Sequence, residues 1–338
     1  MPERSTPTWY ERVPKVELHI HLEGAIPLDA LWQLVQKYGS EPSVPDIHAL
    51  QRKFQYKDFP HFIETWVWKN QFLREYDDFT FIAEAVAKNL ARQNIKYAEM
   101  FYSPLPFAQN GLKPQKLTEA VRTGLARVKQ TEISLIMDFS RDSGVDDAEK
   151  NLPAVKEIKE LGVIGVGLGG SEQKYPPEPF AGVYEKARQF GFHTAAHAGE
   201  AAGPESIWSA IRSLKVERIG HGTRAIEDKS LIEYLADTQI PLEVCPLSNV
   251  RTGVVKSIDI HPVKKFFDAG LLVTINTDDP AMFGNSLAEE YQTLEKRLGF
   301  SCDDIRTLIL NGIEASWLPD DRKKIMTASF VKDKNWLK

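Results

Sequence analysis

The sequence predicts an α/β protein built as a single (β/α)8 barrel, and three observations carry that expectation. Eight short apolar runs alternate with segments of helical spacing along the 338 residues. Strand alternating with helix implies parallel strands joined by crossovers. Four of the runs end in His or Asp, and in an eight-unit barrel the chemistry sits at the C-terminal tips of the strands. Those tips belong to the first, fifth, sixth and eighth runs. A closed ring brings them together. An open doubly wound sheet, the second architecture considered, would gather its site at one switch point instead.

The elements follow in order. The first run, 16–21, carries His19 and His21. Residues two apart on a strand share a face, so both histidines are expected to point into the ring. A long segment, 27–94, then separates this run from the second and reads as a helical insert, with helical spacing at 28–38 and 78–93. Within it Phe59, Phe62, Ile63 and Trp66 recur at i, i+3, i+4 and i+7, one apolar helical stripe, with Trp68 and Phe72 adding aromatic density. Two readings stand for that stripe: a helix packed on the barrel wall, or a hydrophobic gate over a pocket. The second run, 95–102, ends in Phe101 and Tyr102, which suit either a pocket mouth or the core. Runs 132–139, 162–168, 192–197, 217–221, 241–245 and 271–276 complete the eight. Helical segments at 117–130, 146–160, 179–190, 204–214, 228–238 and 260–269 lie between them. Residues 286–338 are expected to form extra C-terminal helices and a tail, and 1–338 to make one domain.

Composition narrows the function classes. Hydrophobic residues make up 42%, enough for a sizeable core, and the net charge of −5 offers no basic field for nucleic acid or an anionic membrane. Two cysteines, Cys245 and Cys302, argue against a disulfide scaffold and fit a reducing, cytoplasmic setting. The N-terminal stretch is polar, so no secretion signal is expected, and no run approaches the ~20 apolar residues of a membrane span.

The run ends spell a metal site. His19, His21 and His197 with one carboxylate, Asp278, can hold a divalent transition metal and leave a position for water. Asp278 and Asp279 precede Pro280, so a helix N-cap is the competing role for either. Adjacent strand residues point opposite ways, so Asp278 is assigned to metal and Asp279 to substrate. Glu200 follows His197 by three residues in His-Ala-Gly-Glu, placed to shuttle protons near a metal without binding it; a helix-start carboxylate is its alternative. His221 lies between Gly220 and Gly222, whose small size allows close approach, and could orient water, act as base, or simply line the rim. The expected chemistry is metal-assisted hydrolysis.

Five strings, in order, resemble the adenosine deaminase family of the amidohydrolase superfamily. They are Pro14-Lys-Val-Glu-Leu-His-Ile-His-Leu-Glu-Gly24, His197-Ala-Gly-Glu200, Ile219-Gly-His-Gly222, Leu242-Glu-Val-Cys-Pro-Leu-Ser-Asn249 and Asn276-Thr-Asp-Asp-Pro280. The resemblance implies one zinc ion per chain held by His19, His21, His197 and Asp278. It implies that Glu200 protonates the purine ring nitrogen beside the amino-bearing carbon, and that His221 orients and deprotonates the attacking water. Asp279 would meet the imidazole-side nitrogen, and Gly170 the remaining pyrimidine-ring nitrogen. Phe59, Phe62, Ile63 and Trp66 align with the family's gate, and Phe101 is a candidate lining residue. The implied partner is a small 6-aminopurine, with no nucleic acid or membrane.

This chain departs from the pattern at Glu23, where typical adenosine deaminases carry Asp against ribose hydroxyls, and at Gly167 and Gly169. Adenosine or a close analogue is the first expectation. Adenine, 6-amino-6-deoxyfutalosine and N6-substituted purines are alternatives inside the family. A two-metal ester or amide hydrolase would use a Lys on the fourth strand, and 162–168 has none. A non-catalytic purine-binding protein, the alternative of another class, would usually have lost a ligand or Glu200. Arg224 and Arg251 lie past strand ends and are read as rim salt-bridge partners rather than phosphate binders; no Walker-type loop is present.

Overall fold

The structure is a computed structural model and describes residues 7–39 and 41–337. Eight parallel strands form the ring: β1 Lys15–His21, β2 Ile95–Tyr102, β3 Glu132–Ser140, β4 Val163–Gly169, β5 His193–Ala198, β6 Arg218–His221, β7 Leu242–Val244 and β8 Val273–Ile275. They neighbour one another in chain order from β1 to β8. A parallel bridge between Ile20 and Asp278 carries the ring from the end of β8 back to β1, which excludes the open sheet.

The seam where the ring closes is made largely by side chains. β8 and β7 are shorter than the apolar runs 271–276 and 241–245 suggest. Pro246 opens a helix after β7, and Asn276, whose N–H still bonds Val244 O at 3.0 Å, sends its side chain across the seam. Asn276 Oδ1 accepts the Leu18 and His19 N–H groups at 2.8 and 3.1 Å. Glu17 Oε1 accepts the Thr277 N–H at 2.9 Å. Two backbone bonds finish the join, His21 N–H to Asp278 O and Asp278 N–H to His19 O.

Alternation along β1 sends Val16, Leu18 and Ile20 into the surrounding helices and Glu17, His19 and His21 into the ring. The ring interior is accordingly polar at its centre. Its N-terminal end is plugged by Trp317, which lies under the Arg218 guanidinium and stacks on His193 at 4.8 Å. Gly165 on β4 leaves the room, since a Cβ there would collide with the Trp317 ring.

Between β1 and β2 lie helices Leu28–Lys37, Ile47–Lys53, Phe59–Asn70 and Tyr76–Arg92. Asp58 caps the third by accepting the His61 N–H. After β8, helices Leu287–Leu298, Cys302–Ala315 and Asp320–Val331 follow. The middle one lies close on β1, where Gly312 faces Val16. Two helical segments differ from expectation. Segment 204–214 is an α-turn, Pro204–Ser209, that widens into a π-turn, Ala210–Leu214, and 260–269 is cut short at Pro262, leaving Val263–Asp268. No helix among the described residues is long and apolar enough to cross a membrane.

Candidate metal centre and active site

The C-terminal tips of β1, β5 and β6 and the turn after β8 converge on one point. His19 Nε2 and His21 Nε2 lie 3.1 and 3.2 Å from His197 Nε2, and 3.5 and 3.3 Å from Asp278 Oδ1. A tetrahedron with metal–ligand arms of about 2.0–2.1 Å has edges of about 3.3–3.4 Å, so this donor set fits a divalent transition metal. His221 also faces the cluster: one ligand atom each from His19, His197, His221 and Asp278 lie within 4.8 Å of one another. The four expected ligands and His221, expected beside the attacking water, thus converge.

Strain marks both rims. His221 and Asp278 hold φ values of 61° and 68°, a left-handed backbone that L-residues rarely adopt. That turn changes the reading of Asp278 and Asp279. Strand alternation does not govern them, because β8 has already ended and both line the same cavity. Asp279 sits at the N-cap position of helix Pro280–Phe283, yet its side chain makes no cap bond. Its Oδ1 is buried without a partner, and Gly24 leaves space for the carboxyl.

A second layer orients the histidines. Glu243 Oε2 accepts from His19 Nδ1 at 2.8 Å, and the Leu168 carbonyl accepts from His197 Nδ1 at 3.2 Å. Each bond puts the proton on Nδ1 and leaves the Nε2 lone pair for a cation. Behind Glu243, Arg218 pairs with it at 2.6 Å and with Glu99 on β2. Arg141 donates to the His197 carbonyl at 2.6 Å, and Ser248 Oγ donates to Asp278 Oδ2 at 2.7 Å. Burial opposes charge at His19, but Asp278 and Glu243 outweigh it and raise its pKa to about 10. Burial also opposes ionisation of Asp278, yet His19 and His21 hold it well below the usual carboxylate range. Burial and the neighbouring imidazoles instead hold His197 well below the usual imidazole range, so its ring stays neutral with Nε2 free.

Glu200 faces the same cavity, its Oε2 3.7 Å from His221 Nε2. Burial, then the Asp278 and Glu172 carboxylates, push its pKa well above the usual range. The loop carrying it is fastened by Glu172, whose carboxylate accepts the N–H groups of Gly199, Glu200, Ala201 and Ala202 at 2.6–3.1 Å and the Ser206 hydroxyl at 2.5 Å. Burial lowers His221 to about 3, against the pull of Asp278. Burial and then Asp278 raise Asp279 to about 7.

The cavity measures about 320 Å3, within the range of small-ligand sites. Phe59, Phe62, Ile63, Trp66 and Val67 roof it, and Gly170 lies on its floor. Phe62 stacks on Phe283 at 5.1 Å, in an apolar cluster separate from the main core. Two expectations need correction. Phe101 does not line the cavity: it lies flat beneath His21 at 5.1 Å, because an inward residue of β2 at this level meets the histidine rings. Glu23 is 1% exposed and stands behind the wall, where its Oε1 accepts the Ser103 N–H at 2.9 Å. Tyr102 is buried against Thr118.

Asp138 of β3 was not anticipated. It lines the cavity, and a Cβ on Gly167 or Gly169 would collide with its carboxyl, so the glycines of β4 make room for it. Burial raises Asp138 to about 6. Lys69 is equally unforeseen: buried behind the roof near Asp279 and Glu23, it is lowered to about 8 by that burial. Arg224 pairs with Glu227 at the rim, as expected. Among the described residues no Lys or Arg lines the cavity.

A parallel barrel whose strand tips gather imidazoles, a carboxylate and a buried glutamate around one cavity defines a hydrolase of the metal-assisted kind. The family model described as adenosine deaminase matches residues 14–333. An adenine deaminase of Bordetella avium is 38% identical over 308 residues, 90% of this chain and 97% of that protein. An aminodeoxyfutalosine deaminase of Streptomyces coelicolor is 34% identical over 312 residues, 90% and 80% of the two chains. The solved structure of an amidohydrolase from Burkholderia ambifaria with bound zinc superposes with a TM-score of 0.88 at 27% identity, covering 98% of this chain and 94% of that one. The chain belongs to the adenosine deaminase family. It is a hydrolytic deaminase acting on C–N bonds, and its substrate class is the 6-aminopurines.

Proposed function

We propose that this protein is a zinc-dependent aminohydrolase of a neutral 6-aminopurine, with adenine first and adenosine second. One observation carries the reaction: the metal-type donor cluster shares a cavity with Glu200, a carboxyl held in its protonated form, and with the unpartnered Asp279 Oδ1. A zinc ion held by His19, His21, His197 and Asp278 would supply a water whose pKa falls to about 7.

The chain's own residues would do the rest. Glu200 holds a proton and passes it to the ring nitrogen beside the amino-bearing carbon as water attacks that carbon. Adding water breaks the ring's aromaticity, and protonating the nitrogen avoids a localised anion. Glu200 then takes one proton from the water and hands it to the leaving amine, and the proton of the added hydroxyl returns to Glu200 as ammonia departs and the 6-oxo group forms. Asp279 Oδ1 meets the imidazole-side nitrogen, and the Gly170 N–H the remaining pyrimidine-ring nitrogen. Phe59, Phe62, Ile63 and Trp66 close over the base and exclude bulk water.

Sequence alone put adenosine ahead. Two observations support adenine instead: the named relative at 38% identity, and Glu23, which is not among the residues lining the cavity and has one carboxylate oxygen engaged by the Ser103 N–H. A cavity lined by Asp138, Asp142 and Asp279 without a cationic residue favours neutral substrates over phosphate- or carboxylate-bearing ones. The test is ammonia release from adenine, adenosine, 6-amino-6-deoxyfutalosine and N6-methyl-AMP, with elemental analysis of the active protein. Turnover of adenine with about one zinc per chain is expected. Turnover confined to an anionic substrate would reject the substrate assignment, and ammonia release from none would reject the reaction.

A further inference from the structure

His221 faces the metal cluster with the wrong hydrogen to be a ligand, and the reason lies in a buried chain of bonds reaching 42 positions away in sequence. The Val263 backbone N–H, which can only donate, points at His261 Nδ1 at 3.2 Å. His261 Nδ1 must therefore be unprotonated, so the neutral ring carries its hydrogen on Nε2. That Nε2 lies 3.2 Å from Asn249 Oδ1, which accepts it and also faces the Thr223 hydroxyl at 3.0 Å. With Oδ1 so committed, the Asn249 amide N–H2 points at His221 Nδ1 at 3.1 Å. His221 Nδ1 accepts, and its hydrogen is forced onto Nε2. The orientation of the amide, ambiguous for an isolated asparagine, is settled here by a group with no acceptor capacity at the far end of the chain. All four side chains are buried, Asn249 fully, so water offers no competing partners.

The contrast with the neighbouring histidines is direct. His19 and His197 give their Nδ1 hydrogens to Glu243 and the Leu168 carbonyl, freeing Nε2 to bind a cation. His221 receives at Nδ1 and offers Nε2–H.

We propose that Asn249 and His261 are positioning residues that lock His221 in its Nε2–H tautomer, so that His221 is neither a metal ligand nor the base but a hydrogen-bond donor to the attacking water. The proton removed from that water then goes to Glu200, whose Oε2 lies 3.7 Å from His221 Nε2. This assignment of the base rests on the deaminase reading above; the tautomer does not.

Long-range proton–nitrogen spectra of protein labelled with 15N-histidine test the tautomer directly, in metal-stripped and zinc-loaded protein, with His221→Gln identifying the signal. The expected result is a protonated Nε2 and a bare Nδ1 in both states. A hydrogen on Nδ1 would overturn the proposal. Asn249→Asp supplies only acceptors and should move the hydrogen to Nδ1. If His221 acts as a donor, this variant loses about 10–100-fold in kcat, with KM and zinc content unchanged. If His221 were the base, the carboxylate would support it, and retained or increased kcat would overturn the proposal. His261→Gln keeps an N–H toward Asn249 and should retain more kcat than His261→Leu; the reverse order would count against the relay. Wild-type protein that releases no ammonia from any 6-aminopurine would sink the deaminase reading while leaving the spectra to decide the tautomer.

Discussion

A carboxyl held off water beside two other carboxylates keeps its proton to a higher pH than a free one, and Glu200 is held that way by burial, Asp278 and Glu172. Two consequences follow at this one residue. Glu200→Gln cannot carry a proton to the purine nitrogen, so kcat should fall by about 10²–10⁴-fold while zinc content is unchanged. A rate within a few-fold of wild type would reject the shuttle. The second consequence concerns stability. Above the ordinary glutamate value of 4.5 and below its own folded value, Glu200 is protonated in the fold and ionised in the unfolded chain. The native state then binds more protons than the unfolded one, and stability falls as pH rises through that window, by about 1.4 kcal/mol for every tenfold drop in proton concentration. Gln has no proton to lose. In metal-stripped protein, Glu200→Gln should melt above wild type at neutral pH, and the two curves should meet below about pH 4.5. A variant that melts lower at neutral pH would show that Glu200 is not destabilising there.

At the scale of elements, the loop after β5 depends on one side chain from the turn after β4. Glu172 accepts four consecutive backbone N–H groups, Gly199 to Ala202, that no strand or helix satisfies. Glu172→Ala leaves those donors buried or half-buried, at a cost of at least about 3 kcal/mol. It also frees Glu200 to wander, so kcat should fall while zinc is retained. Glu172→Gln keeps one accepting oxygen and should lie between Ala and wild type in both urea midpoint and kcat. An Ala variant as active as wild type would mean that the loop holds itself. Glu172 also shows the limit of what is legible from sequence. All eight strands announce themselves as short apolar runs alternating with helical spacing, and the cluster-facing residues His19, His21, His197, His221 and Asp278 do so because four of those runs lead into ligand-type residues. Glu172 to Ala202, Glu243 to His19 and His261 to Asn249 are pairings across 12–224 positions with no periodic signature. Glu243, Ser248 and Asn249 at least fall inside the string that carries the family resemblance. Asn276 likewise opens one of the family strings, whereas His261 gave no sign of its bond; Phe101 was offered as a lining residue because alternation gives a face but not a depth, and Glu23 entered only through its place in a family string.

The molecule as a whole is a ring fastened at one seam, and the metal cluster straddles it. His19 and His21 stand on β1, Asp278 stands past β8, and the strands there share a single bridge rather than a ladder. Asn276 does the work of the missing ladder by accepting two buried N–H groups of β1, one of them from His19 itself. Asn276→Ala leaves both unpaired, which costs about 2–6 kcal/mol at 1–3 kcal/mol per orphaned donor. Because the same change releases the backbone that presents His19 to Asp278, metal affinity should fall along with stability. A cation bound across the seam stabilises the fold by RT ln(1 + [L]/Kd), about 2.7 kcal/mol at a hundredfold excess over Kd. Chelation should therefore lower the Tm of wild type. In Asn276→Ala the drop on chelation should shrink at fixed zinc concentration, because less zinc is bound to begin with. Calorimetry of both proteins with and without chelator measures this. An equal drop in the two would mean that Asn276 braces the ring without influencing the ligands, and that the seam and the metal centre are energetically separate.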